Sequence, residues 1–190
     1  MGFLDTILGR TKPVPPRLDD LFQLPTAAIT LQAAMGLVPT GTGSVCFRAA
    51  EGRAFSDIEK DVRELLGMGE AAAPVEVSTD SYGFTWLVCR HAAHDIEALV
   101  TDLHAVNSSL VDNGFGPQLL CTLVAFTDDQ ERRLGLVYLY KRGTFYPFAP
   151  LSGERRDNAL ELQVKGVIGS DLKFEPDLSR WFPVWGAPGL

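Results

Sequence analysis

Two nearly continuous apolar runs, joined by a polar link, place the strongest constraint on how this chain can fold. Residues 119–126 and 134–140 are apolar almost throughout, whereas residues 127–132 between them are polar. Strands that are apolar on both faces lie inside a sheet, and a short polar link between two of them is typical of a hairpin. We therefore expect a hairpin of central strands here.

A second hairpin and one long helix are predicted beside these strands. Residues 75–79 and 84–90 are extended runs on either side of a turn at 80–83, whose glycine can adopt a positive φ. Residues 95–113 carry apolar side chains at helical spacing and are followed by Gly114, which is a typical helix end. We expect this helix to pack on the sheet.

The other segments give shorter elements, two of which stay open. The stretch 27–34 is ambiguous between strand and helix. Residues 155–168 fit either element, although Glu161 and Lys165, four residues apart, favour a helix. The remaining predictions are a short helix over 18–24 that Pro25 ends, a turn at 40–43 before a strand at 44–48, and a capped helix over 56–67.

The order of these elements fits an α+β domain rather than a parallel sheet or a repeat array. Helices and strands do not alternate strictly, which indicates a mainly antiparallel sheet flanked by helices. The 190 residues, 46% of them hydrophobic, are enough for a sizeable core. We expect a short amphipathic helix and Pro-rich linker over 1–16, a single α+β domain over 17–175, and a Pro/Gly/Trp-rich tail over 176–190.

The charge of the chain argues against a nucleic-acid partner, and its apolar runs are too short for a membrane span. A formal net charge of −7 opposes the counterion release that gives nucleic-acid binders their general affinity. No run reaches the ~20 apolar residues that cross a bilayer. Cys46, Cys89 and Cys121 lie in apolar runs without paired spacing, which predicts reduced, buried thiols. We expect a cytoplasmic protein whose membrane contact is at most peripheral.

One cluster has metal-like spacing but lacks a complete ligand set. Cys89, His91 and His94 offer the sulfur and imidazole ligands that zinc prefers, yet a structural site needs a fourth ligand from a second cluster. Ser44 and Ser81 lie near turns, outside any G-x-S-x-G motif. We therefore expect no metal, no cofactor and no enzymatic activity, and we keep a metal-dependent hydrolase built on this cluster as the weakest alternative.

Two apolar segments near the chain ends are candidates for contact with another molecule. A short helix at the amino terminus would be marginal in water unless its apolar face packs on something, and tryptophan is enriched in interface anchors. Both segments could instead pack on the domain itself. The candidate interaction residues are Phe3, Leu4, Ile7, Leu8, Trp181, Phe182 and Trp185.

Strings of distinctive sequence run through almost the whole chain. They are MGFLDTILGRTKP, SVCFRAAEG, DSYGFTWLV, LVTDLHAVN, GFGPQLLC, VYLYKRGTFYPFAP, RDNALELQVKG and EPDLSRWFPVWGAPGL. In these strings the chain resembles the PspA-associated protein family called PspAB. The resemblance implies a role in the phage-shock-protein envelope stress response, together with the membrane-binding protein PspA. It carries over no catalytic or ligand residues. The order of elements also looks like the type III secretion chaperone-like fold shared with YbjN-type proteins.

The sequence supports three functional hypotheses. The first is a non-enzymatic protein-binding adaptor for PspA or a membrane-stress protein, peripheral to the inner face of the cell membrane. It predicts that deletion of residues 1–12 or 176–190 abolishes partner capture while the fold survives. The second is a chaperone-like module, a homodimer, that holds an amphipathic peptide of an unknown client. The third is the metal-dependent hydrolase named above.

Overall fold

A computed structural model of the chain describes residues 17–48 and 75–190. The predicted helices near the amino terminus and over 56–67 lie outside these residues. The described elements begin with a 3₁₀ helix at Leu18–Gln23 and continue with α1 (Leu24–Met35), β1 (Val38–Phe47), β2 (Glu76–Thr79), β3 (Thr85–Arg90), α2 (Ile96–Asp112), β4 (Leu119–Thr127), β5 (Arg133–Leu139), β6 (Thr144–Phe148), β7 (Pro150–Leu151), β8 (Arg155–Arg156) and α3 (Asn158–Ile168). Two short 3₁₀ turns lie at Gly116–Gln118 and Leu178–Arg180.

Six of these strands form one antiparallel sheet in the order β2-β3-β1-β4-β5-β6. The predicted α+β class with a mainly antiparallel sheet is therefore confirmed, as are both predicted hairpins, β2–β3 and β4–β5. The apolar run of β4 lies between β1 and β5, near the middle of the sheet. The resemblance to the type III secretion chaperone-like fold stays a prediction.

The sheet has a core on each face, because side chains alternate between the two faces along every strand. On β4, Val124 and Phe126 belong to the core under the three α-helices. Leu123 and Ala125 belong to a second core on the opposite face. Among the described residues, that second core takes its cover from the carboxyl-terminal segment rather than from an α-helix, with Trp181 buried in it.

Helix α2 covers the first face, as its amphipathic pattern predicts. Asp95 caps the helix because its Oδ1 accepts a hydrogen bond from the backbone N–H of Ala98, at 3.3 Å. The helix ends at Asp112, just before Gly114. Its buried side chains are Leu99, Val100, Leu103, Val106, Asn107 and Leu110.

Two local predictions are wrong for identifiable reasons. Pro25 lies in the first turn of α1 instead of ending a helix, since the first helical N–H groups have no helical partner and a proline there loses no hydrogen bond. Residues 40–43 are not a turn but part of β1, where the register with β4 shifts. Gly41 adopts φ +79 at this bulge, and a Cβ there would lie 2.1 Å from the carbonyl oxygen of His91.

The two open segments are both helical. The stretch 27–34 lies inside α1. Of the favoured helix over 155–168, residues 158–168 form α3, which Asp157 caps through the N–H of Leu160, whereas residues 155–156 form β8. None of the helices within 17–48 and 75–190 is long and apolar enough to cross a membrane.

A buried amide joins α2 to the sheet and gives a test of this packing. Asn107 is 1% exposed and donates from Nδ2 to the Leu103 carbonyl and to Oγ1 of Thr122 on β4, at 2.7 and 2.9 Å. We expect Asn107→Ala to lower the free energy of unfolding by about 1–3 kcal/mol in urea denaturation, because the Thr122 hydroxyl loses its buried partner.

The matched control is Asn113→Ala at the exposed end of the same helix. Asn113 makes a similar bond to the carbonyl of Ser109, at 2.9 Å, but reaches no other element. Its replacement should change the free energy of unfolding by less than about 0.5 kcal/mol. Equal effects of the two substitutions would contradict the bridging role of Asn107.

Candidate functional site

The carboxyl-terminal segment reaches the second face of the sheet by pairing with β6. The N–H of Phe145 donates to the carbonyl of Lys173, and the N–H of Glu175 donates to the carbonyl of Phe145, both at 2.8 Å. Phe145 and Phe174 thereby form a single parallel bridge. We call residues 176–190 the tail. The pairing with β6 sets the point on the sheet from which the tail begins.

Trp181 anchors the tail on the sheet. Its side chain is 5% exposed, and its Nε1 donates to the carbonyl of Glu175 at 3.0 Å. The indole stacks on the Tyr146 ring at a centroid distance of 6.2 Å, and Nζ of Lys165 lies 5.6 Å above the indole. Since a buried Trp requires a partner for its N–H, these contacts account for one fixed position of this side chain.

The next residue faces the other way. Phe182 is 60% exposed, although its backbone is held because Tyr146 donates its hydroxyl to the Phe182 carbonyl at 2.9 Å. Arg156 donates to the carbonyl of Trp181 immediately before it. A large aromatic side chain is therefore displayed from a backbone that hydrogen bonds fix on both sides of its Cα.

A buried carboxylate holds the start of the tail. Glu175 accepts hydrogen bonds from the Arg142 guanidinium, the Thr144 hydroxyl and the backbone N–H of Asp177. Burial by itself would raise the pKa of Glu175, but these donors outweigh burial and hold the pKa below its ordinary value of 4.5. Glu175 is thus a charged group in the folded protein at neutral pH, and its bond to Asp177 holds the first residues of the tail.

Between the sheet and tail residues 182–185 lies a cavity of about 460 Å³, which we call the tail-face cavity. The strands supply its floor, and the turn between β2 and β3 supplies one side. Its lining residues are Cys46, Asp80, Tyr82, Phe84, Trp86, Leu120, Cys121, Leu139, Tyr146, Phe182, Pro183, Val184 and Trp185. The size lies within the range of about 300–1,000 Å³ that is typical of small-molecule sites.

The Asp80 carboxylate on this wall accepts three hydrogen bonds from within the fold. Oδ1 accepts from the backbone N–H groups of Tyr82 and Phe84, at 2.9 and 3.0 Å. Oδ2 accepts from Nε1 of Trp86 at 2.8 Å. Tyr82 donates its hydroxyl to Glu154, which ties the same turn to the β7–β8 hairpin. Asp80 therefore shapes the cavity wall.

Two thiols meet at the floor of the cavity. Cys46 on β1 lies directly opposite Cys121 on β4, and both thiols are free and buried. A hydrogen bond with Cys121, together with burial, raises the pKa of Cys46 far above its ordinary value. The Cys46 thiol is therefore protonated at neutral pH and is a poor nucleophile.

The structure places the candidate interaction residues of the tail in three different settings. Trp181 is buried, Phe182 is exposed at the cavity, and Trp185 is half-buried and packs edge-on against Phe148 at a centroid distance of 4.8 Å. The four candidates at the amino terminus, Phe3, Leu4, Ile7 and Leu8, lie outside the described residues. The tail thus contributes one anchor, one displayed aromatic and one cavity wall.

Cys89, His91 and His94, which have metal-like spacing in the sequence, lie in three different environments. Cys89 lies in the helix-side core, and burial raises its pKa to about 12. His91 places Nε2 at 2.7 Å from Oδ2 of Asp102, and His94 is exposed. Within 17–48 and 75–190, no group of three or more His, Cys, Asp or Glu side chains is arranged to hold a metal ion.

In a comparison with protein families, the chain matches a family model. A family model described as PspAB, PspA associated protein B, matches residues 1–189. Comparison with curated proteins and with solved structures gives no match.

The buried carboxylate makes tail packing depend on pH. A carboxyl group whose pKa is lower in the folded chain than its ordinary 4.5 stabilises the fold above pH 4.5, and this contribution disappears as the pH falls through the folded pKa. We expect Glu175→Gln to lower the free energy of unfolding most at pH 7 and progressively less below pH 4.5. Urea denaturation of both proteins between pH 7 and pH 3 measures the difference.

Near-UV circular dichroism of the folded proteins serves as the control, because Trp181 bonds to the Glu175 backbone and should keep its signal if only the side chain matters. A difference in stability that stays constant from pH 7 to pH 3 would contradict the assigned role of the ionised carboxylate.

Proposed function

The chain belongs to the PspA associated protein B family, and we propose that it is a non-enzymatic protein-binding adaptor that works with PspA in the phage-shock envelope stress response. The family description supports PspA as the protein partner. The resemblance in sequence supports the stress response as the setting, with the adaptor in the cytoplasm and peripheral to the inner face of the membrane.

The exposed Phe182 is the observation that carries the binding role. An aromatic side chain that is 60% exposed leaves apolar surface in water, and here it stands at the mouth of an apolar cavity. Because hydrogen bonds from Tyr146 and Arg156 fix its backbone, little conformational entropy is lost when a partner covers it. A rigid aromatic at the edge of a pocket is typical of an interface anchor.

The side-chain chemistry around this surface supports an adaptor rather than an enzyme. A nucleophile or a general base needs a free, activated group. The Cys46 thiol is protonated, and the Asp80 carboxylate accepts hydrogen bonds from the turn and from Trp86. These groups serve the structure of the wall.

The tail-face cavity also favours a second candidate, the chaperone-like module that holds an amphipathic peptide, alone or as a homodimer. Such a module would accept apolar peptides of unrelated sequence, whereas an adaptor selects its partner. Titration with purified PspA and with unrelated amphipathic peptides of equal length separates the two, since only the module would bind all of them with similar affinity.

Phe182→Ala tests the adaptor directly. We expect this variant to bind purified PspA at least about tenfold more weakly in isothermal titration, because truncating an aromatic anchor removes more than about 1.4 kcal/mol of binding free energy. Its thermal stability should stay close to that of the parent, since the side chain is mostly exposed.

Ile29→Ala is the matched control for Phe182→Ala. Ile29 is 70% exposed but lies on α1, on the helix side of the sheet. This control should bind PspA like the parent. If Phe182→Ala also bound PspA like the parent, the tail would not be the docking surface.

Deleting the whole tail is not a clean test, contrary to the sequence-based prediction. Trp181 and Ala187 are buried in the second core, so loss of residues 176–190 would expose that core to water. Deleting residues 1–12 removes none of the side chains of the two described cores and tests the other predicted contact. We expect that deletion to weaken PspA capture in a pull-down without lowering the melting temperature, and unchanged capture would remove residues 1–12 from the proposal.

A further inference from the structure

We infer that the tail-face cavity is a binding site for a small amphiphile, one that has an unbranched or compact apolar part and a neutral or positively charged polar end. This inference goes beyond the adaptor role, because the cavity's own chemistry carries it and no protein partner is required. It shares Phe182 with the proposed docking surface, so a ligand held there would lie beside any partner.

The size of the cavity suits such a ligand. Its volume of about 460 Å³ is roughly three times that of an engineered apolar cavity of about 150 Å³ that binds benzene. An apolar group of eight or more carbon atoms therefore fits on order-of-magnitude grounds. Because Trp185 is only half-buried and Phe182 is exposed, the cavity is open on the side of the tail, and a ligand has a route in.

Inside the cavity, the side-chain donors of Tyr146 and Trp86 already have partners within the protein. Tyr146 gives its hydroxyl to the Phe182 carbonyl, and Trp86 gives its N–H to Asp80. The Cys46 thiol is buried opposite that of Cys121, and a thiol is only a weak hydrogen-bonding group. A polar ligand group placed there would lose its water without gaining partners, which is unfavourable, so the part of the ligand that enters must be apolar.

The charge on the wall selects the polar end. Among the described residues that line the cavity, Asp80 is the only one that carries a charge at neutral pH. The neighbouring turn also brings Glu154 against Tyr82. The Arg156 guanidinium, which donates to the Trp181 carbonyl beside Phe182, is paired with the Glu161 carboxylate, so it adds no net positive charge here. The Asp80 and Glu154 carboxylates therefore repel a carboxylate or phosphate head and attract an ammonium, while an alcohol is unaffected. Anionic lipids and fatty acids are therefore poor ligands for this site.

Three probes with the same C8 chain test the inference: octylamine, octanol and octanoate. Isothermal titration of the full chain at pH 7 and low salt should show saturable binding of octylamine and octanol. Octanoate should bind about tenfold more weakly than octylamine, and salt at 0.5 M should narrow that ratio by screening the charges.

Cavity-filling variants locate the site. Leu139→Phe on β5 and Val184→Phe on the tail each place extra volume in the cavity from opposite walls, and each should weaken octylamine binding at least tenfold. Ile29→Phe on the helix side is the matched control and should bind like the parent. Two filling variants are used so that misfolding of one leaves the other to decide.

Several results would overturn the inference: no saturable binding of octylamine or octanol, tighter binding of octanoate, or unchanged binding in a folded cavity-filled variant. These outcomes are separate from the adaptor proposal, because the probes require no PspA. A chain that binds octylamine but not PspA keeps the ligand site and loses the adaptor role, and a chain that binds only PspA does the reverse.

Discussion

Burial of the second face of the sheet is the constraint on which the rest of this structure depends. The described α-helices pack on one face, yet strands β1, β3, β4, β5 and β6 carry apolar side chains on both. An apolar sheet face left in water would be costly, since each Å² of exposed apolar surface forfeits about 25 cal/mol. The tail supplies the missing cover, so the carboxyl terminus is part of the domain's core.

A few polar contacts allow an irregular segment to do this work. A chain without regular structure must satisfy its buried backbone groups individually. Here Trp181 donates to the Glu175 carbonyl, and Tyr146 donates to the Phe182 carbonyl. The Glu175 carboxylate accepts hydrogen bonds from Arg142 and Thr144. Near its end the tail lies close against the sheet at Gly189, where a Cβ would come within 3.0 Å of Ala125. Small side chains and specific donors replace the regular hydrogen bonding of a helix.

The sequence predicts the regular elements well because periodicity reports local burial. The apolar runs of β4 and β5, and the helical spacing of α2, each carry their signal within one segment. The tail does not, since its burial comes from strands of the sheet that are distant in sequence. The sequence identifies Trp181, Phe182 and Trp185 as candidates but cannot separate their roles. It likewise cannot show that Cys46 faces Cys121, because that pairing depends on the register of β1 against β4.

The displayed aromatic and the cavity both follow from how the tail is anchored. The Trp181 side chain is buried in the core. Since neighbouring side chains of a non-helical segment point in different directions, that of Phe182 is exposed to solvent. The backbone then continues through Pro183 and passes over the sheet without filling the space above Cys46 and Cys121. Unfilled space beside apolar side chains reduces stability, because dispersion contacts are lost there. The packing around this space is incomplete, and a bound ligand or partner would complete it beside the exposed Phe182. This is why we place function on this face.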